Sequence, residues 1–125
     1  MNAAQPSVLI VEDERPLARA LSLKLQHEGY TTEIVTDGEA ACAALAGDTQ
    51  YDVVILDLVM PRKNGFDVLM FMRENDITTP TIVLSNLSQE EDTAKAKELG
   101  ARDVFIKANT SLSDIVSYIA TLRSV

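Results

Sequence analysis

Short apolar runs recur along the chain at a regular pitch, and the segments between them carry a different, helical period. The runs are SVLIV (7–11), TEIVT (32–36), DVVIL (52–56), TIVLS (81–85) and DVFIK (103–107). Most are rich in Val and Ile with no polar break, the pattern of strands covered on both faces. Between the first two runs, Leu17, Leu21 and Leu25 repeat at i, i+4 and i+8, with Pro16 suited to a first turn and Gly29 to a stop. A second, Ala-rich helix follows TDGE, where Thr36 and Glu39 have capping-box spacing. A third runs through GFDVLMFMREN (65–75). A fourth opens at Ser88, with Glu91 completing a capping box, and stops at Gly100. A fifth starts near Ser111 and aligns Ile115, Ile119 and Leu122 on one face.

Five strands, each followed by a helix, predict an α/β fold: a five-stranded parallel sheet wrapped on both sides through right-handed crossovers. At this length the doubly wound, flavodoxin-like (βα)5 sandwich with strand order 2-1-3-4-5 is the expected topology, with its site at the carboxyl ends of strands 1 and 3. A closed barrel needs eight such units and does not fit.

Composition narrows the function classes. A chain of 125 residues, 46% hydrophobic and 24% charged, fills one compact core. The net charge of −8 argues against direct nucleic-acid binding, which needs Lys and Arg to displace counterions. The single cysteine, Cys42, excludes an intramolecular disulfide and points to a reducing compartment. MNAAQPS lacks the pattern of a signal peptide, and no apolar run has membrane-spanning length, so the expected location is cytoplasmic.

The chemistry collects at one edge. All carboxyl ends of a parallel sheet lie on the same rim, and there strand 1 delivers Glu12 and Asp13, strand 3 Asp57, strand 4 Ser85 and strand 5 Lys107. Adjacent strands lie roughly 4.8 Å apart, so Asp13 and Asp57 are expected to face each other across the crevice. Carboxylates that close repel one another unless a cation intervenes, and a hard divalent ion taking oxygen ligands, Mg²⁺ first and Mn²⁺ as the alternative, removes the conflict. Lys107, about 10 Å from Asp57 by the same spacing, has a stem long enough to bring its ammonium there past the Ser85 hydroxyl. Cation, carboxylate, ammonium and hydroxyl around one point suit phosphoryl transfer, which needs positioning and charge neutralisation, with a carboxylate as acceptor. Each residue also has an ordinary reading: Asp13 as a helix cap, Ser85 as a turn hydroxyl, Lys107 as a snorkelling strand-end lysine. Those readings would have to hold at four strand ends together.

With these residues in place, the chain resembles a response-regulator receiver domain of bacterial two-component (phosphorelay) signalling, with a chemotaxis-regulator-like fold, over essentially its whole length. The matching features are Glu12-Asp13, DLVMPRKNG (57–65), Ser85 after TIVL and Lys107 after DVFI. The resemblance implies that Asp57 is the phospho-acceptor, and that Glu12, Asp13, Asp57 and the Val59 backbone carbonyl bind Mg²⁺. It further implies that Ser85 turns toward the phosphoryl group, Lys107 pairs with it, and Phe105 is the aromatic switch. Phe105 also has the plain reading of a core residue. The implied partners are a sensor histidine kinase or phosphotransfer protein, and a downstream protein or attached output domain reached through the surface of helix 4, strand 5 and helix 5. That surface also implies either a monomer or a phosphorylation-dependent dimer. Residues 1–125 are expected to form a single receiver domain, alone or as the N-terminal part of a longer protein. Such a domain is a signalling switch and not an enzyme, beyond catalysing its own phosphorylation and slow autodephosphorylation.

Three features depart from the family pattern. Asn86 stands where Ala or Gly usually follows the switch hydroxyl. Ala108 stands where a proline in a cis peptide usually follows the lysine; a non-proline cis bond costs about 3 kcal/mol, so the loop is either strained or rearranged to trans. Val59 and Leu87 are apolar at positions that govern water access to Asp57. Three rival readings remain. A phosphohydrolase of related fold needs a second Asp where Val59 stands. A flavin module needs a Gly/Ser/Thr-rich loop where VEDERP stands. A degenerate receiver would act only as a constitutive interaction domain.

Overall fold

The computed structural model describes residues 5–87 and 89–123. Five strands and five helices alternate: β1 (Ser7–Val11), α1 (Arg15–His27), β2 (Thr31–Val35), α2 (Gly38–Ala46), β3 (Val53–Leu56), α3 (Gly65–Glu74), β4 (Thr81–Ser85), α4 (Glu90–Glu98), β5 (Asp103–Ile106) and α5 (Leu112–Arg123). All strands pair in parallel in the order β2-β1-β3-β4-β5.

Side-chain alternation along the strands splits the core in two. Leu9, Val11, Val54, Leu56 and Val83 face α2, α3 and α4, packing with Ala41, Val68, Leu69 and Ala96. Val8, Ile10, Ile55, Ile82 and Leu84 face α1 and α5, packing with Leu21, Leu25, Ile115 and Ile119. The unbroken apolar runs thus mark buried strands at β1, β3 and β4. The two outer strands differ: β2 exposes Thr31, Glu33 and Ile34, and β5 is half-buried throughout, because each lacks a neighbour on one side.

Two helix starts depart from the sequence expectation. The N-cap of α2 is Asp37 and not Thr36; its carboxylate accepts a hydrogen bond from the Ala40 N–H at 2.7 Å. In α4 the N-cap is Gln89, which makes no side-chain cap, and the expected cap Ser88 lies outside the described residues. Acids at Glu90, Glu91 and Asp92 instead complement the positive end of the α4 dipole. Helix α5 starts at the expected place and is capped there: Ser111 and Asp114 exchange backbone-to-side-chain hydrogen bonds at 3.0 and 3.2 Å. Strand 5 ends one residue early, since Lys107 opens a 3₁₀ turn (Lys107–Asn109). The Lys107–Ala108 peptide is trans, which settles the alternatives left open by Ala108. The Thr110 hydroxyl donates to the Ile106 carbonyl across this turn at 2.8 Å.

Candidate functional site

The sheet register places the acids. Val11 pairs with Leu56, and the chain continues across that pair: the Asp57 N–H donates to the Val11 carbonyl, and the Glu12 N–H to the Val35 carbonyl, both at 3.0 Å. Each acid is therefore fixed by the last carbonyl of a neighbouring strand, one step beyond the regular ladder. Glu12 is 2% exposed and Asp57 4%, whereas Asp13 is open to solvent. A carboxylate oxygen from each of Glu12, Asp13 and Asp57 lies within 4.8 Å of the others. Asp13 does not cap α1, whose N-cap is Glu14 without a side-chain hydrogen bond. The Glu12 carboxylate instead accepts the Glu14 N–H at 3.0 Å.

Lys107 crosses β4 as expected. Its Nζ lies 3.1 Å from Asp57 Oδ2 and 3.0 Å from Glu12 Oε1, and it also grips Glu14. Burial opposes the lysine charge, but the hydrogen bonds it donates to the carboxylates of Glu14, Glu12 and Asp57 outweigh it and raise its pKa above the ordinary value. Glu12 moves the other way in charge. Burial pushes its carboxyl up from 4.5 to about 7, against the lowering effects of the Glu14 N–H and Lys107. Three carboxylates thus share one ammonium, with the Asp13 carboxylate close by, and desolvation acts on Glu12. The surplus negative charge and the all-oxygen donor set fit a hard divalent cation.

Above these groups opens a cleft of about 280 Å³. Asp57 and Lys107 line it together with Val59, Asn86 and Leu87. Val59 is 58% exposed. Ser85 is fully buried beside the cleft, and its hydroxyl accepts the Leu87 N–H at 3.3 Å. Phe105 is half-buried, its ring edge-on to Tyr118 of α5 with centroids 5.1 Å apart.

The strand-end residues expected from the sequence, Glu12, Asp13, Asp57, Ser85 and Lys107, therefore meet at one place. Glu14 was not expected there; the signal was the unbroken acidic run Glu12-Asp13-Glu14. Phe105 contacts α5 and not the cleft wall.

An acidic, lysine-bearing cleft at the switch point of a 2-1-3-4-5 parallel sheet defines the class of phospho-accepting signalling domains. The chain belongs to the response regulator receiver domain family, whose sequence model matches residues 8–120. It is 38% identical over 119 residues to the response regulator ArlR of Staphylococcus epidermidis and 34% identical over 115 residues to the response regulator SaeR of Staphylococcus aureus. These alignments cover 95% and 92% of this chain but 52% and 49% of the relatives, so the chain spans about half their length. Among solved structures, the receiver domain of the Francisella response regulator 1452 superposes with a TM-score of 0.87 at 28% identity, covering 94% of this chain and 95% of that one. A receiver domain of a histidine kinase from Syntrophus aciditrophicus gives 0.84 at 32% identity, covering 95% and 90%. Among the described residues, no helix is long and apolar enough to cross a membrane.

Proposed function

We propose that Asp57 accepts a phosphoryl group from the phosphohistidine of a sensor histidine kinase or phosphotransfer protein. The observation that carries this reading is the 3.1 Å contact between Lys107 Nζ and Asp57 Oδ2 in a cleft that Asp13 also lines, with Glu12 buried against the lysine. An Asp57 carboxylate oxygen attacks phosphorus; the new O–P bond forms as the P–N bond to the donor imidazole breaks, and the imidazole leaves with that electron pair. Lys107 neutralises oxygens of the transferring group. Ser85 Oγ already accepts the Leu87 N–H, which leaves its own proton to donate to a phosphoryl oxygen. When bound, Mg²⁺ (or Mn²⁺) held by Glu12, Asp13, Asp57 and the Val59 carbonyl supplies further neutralisation of the phosphoryl charge.

Phosphorylation then shifts the surface of α4, β5 and α5, with Phe105 as the aromatic switch. The physical support is weak anchoring of α4 and β5: the buried residue of α4 is Ala96, and β5 is half-buried along its length. Such elements open at low free energy and respond to small biases. The shifted surface engages a downstream protein, an attached output domain or a second copy of the chain. Residues 1–125 act as one receiver unit, whether alone or within a longer protein.

The test is incubation with acetyl phosphate and Mg²⁺ followed by intact-mass measurement. The reading requires a single phosphate adduct that disappears with chelator. No adduct would favour a constitutive interaction domain, and steady phosphate release a phosphohydrolase.

A further inference from the structure

The loop between β3 and α3 (58–64) carries Val59, the one backbone ligand in the proposed cation site, and Val59 itself is largely exposed. Its N–H donates to Asp57 Oδ1 at 3.3 Å, and the remaining hold on its backbone comes from the rest of the loop. One end is closed by the Gly65 N–H, which donates to the Leu58 carbonyl at 3.0 Å. Between its ends the loop is held in an unusual way. Arg62 adopts φ +67°, a left-handed conformation that costs a non-glycine residue about 1–2 kcal/mol. A glycine would relieve that strain, so the arginine side chain is the feature to explain.

Its guanidinium points to an answer on α2. Nε and Nη2 of Arg62 both lie 3.0 Å from Oδ2 of Asp37. Asp37 is buried, and its other oxygen is committed to the Ala40 N–H as the cap of α2. The arginine therefore grips a point that is already fixed. Beside it the loop backbone lies directly on the first turn of α2: a Cβ at Gly38 would sit 2.0 Å from the Lys63 carbonyl oxygen. An exposed ion pair by itself contributes little to stability. Here a forked contact to a buried carboxylate holds a strained backbone, three residues from a proposed ligand.

We propose that Asp37 and Arg62 form a positioning clamp that docks the 58–64 loop on α2 and aims the Val59 carbonyl into the cation site. The inference rests on the reading of Glu12, Asp13, Asp57 and Val59 as that site. Releasing the clamp frees the loop and weakens cation binding without loosening the fold. Groups that orient metal ligands at one remove typically change affinity by 10- to 100-fold, and one clamped ligand among several puts the expectation at roughly 10-fold.

The test is calorimetric titration of the chain with Mg²⁺, paired with metal-free thermal unfolding. Arg62→Gly removes the clamp and the strain together. Its Mg²⁺ affinity should fall roughly 10-fold while its metal-free Tm holds or rises, an opposition that a merely structural residue would not produce. Arg62→Lys, which keeps the charge but loses the fork, should fall between. Asp37→Asn, which retains a capping oxygen, should match Arg62→Gly, and the double variant should bind no more weakly than either single one. Native-like affinity in Arg62→Gly overturns the clamp alone, as does a loss matched by a lower Tm. No Mg²⁺ binding by the native chain overturns the clamp and the cation site together.

Discussion

Replacing Glu12 by Gln tests the electrostatics of the site through stability alone. Glu12 is buried, and its carboxyl titrates at about 7 in the folded, metal-free protein against 4.5 ordinarily. Each unit of difference corresponds to about 1.4 kcal/mol, so ionising Glu12 in the folded state costs about 3 kcal/mol relative to the unfolded chain. The folded state holds this proton more tightly, so its contribution is complete below about pH 4.5, declines as pH rises and is gone above about 7. The other displaced groups of the region stay outside that window. Lys107 is raised, so its contribution persists until alkaline pH. Asp37 is lowered below 3.8, by the Ala40 N–H first and Arg62 after it, so its contribution is lost only in acid. Urea unfolding in EDTA between about pH 5 and 8 should show native stability falling across the range. The Glu12→Gln protein should lose most of that decline and exceed the native protein at the alkaline end. Parallel curves for the two proteins would refute the assignment. With Mg²⁺ present the sign reverses, because binding needs the ionised carboxylate: affinity should drop up to about tenfold per unit below pH 7.

Further expectations follow from the cleft walls and the loop. Asn86→Ala should speed phosphorylation by small phosphodonors several-fold in a mass-based time course, since Asn86 narrows the route to Asp57; an unchanged rate would dismiss that role. Val59 and Leu87 offer no group to orient an attacking water, so the aspartyl phosphate should persist for minutes or longer. A lifetime of seconds that polar residues at these positions leave unchanged would contradict this. Gly65→Ala should destabilise by about 3 kcal/mol in urea unfolding, because its Cβ would lie 2.4 Å from the Asp57 carbonyl oxygen. A loss under about 0.5 kcal/mol would mean that the loop relaxes freely.

The fold was legible because its strands are doubly covered and read as unbroken apolar runs, and because the carboxyl ends of parallel strands must share an edge. That topology alone brought Glu12, Asp13, Asp57, Ser85 and Lys107 together. What escaped was local backbone choice. Thr36 and Asp37 both carry capping side chains one residue apart, and only the helix start decides between them. Arg62 gives no hint of a left-handed conformation, which glycine usually announces. Glu14 reads as an ordinary acid at a helix start until Lys107 arrives from 93 residues away. The trans turn at Ala108 likewise became visible only with the chain beyond β5 in place.

The central claim is that the phosphoryl group goes to Asp57. Borohydride reduces an aspartyl phosphate to homoserine, marking the acceptor covalently. After incubation with acetyl phosphate and Mg²⁺, reduction and peptide mapping should find homoserine at position 57, and none in an Asp57→Asn protein. Homoserine at position 13, or at no position in a protein that carries the adduct, would contradict the account.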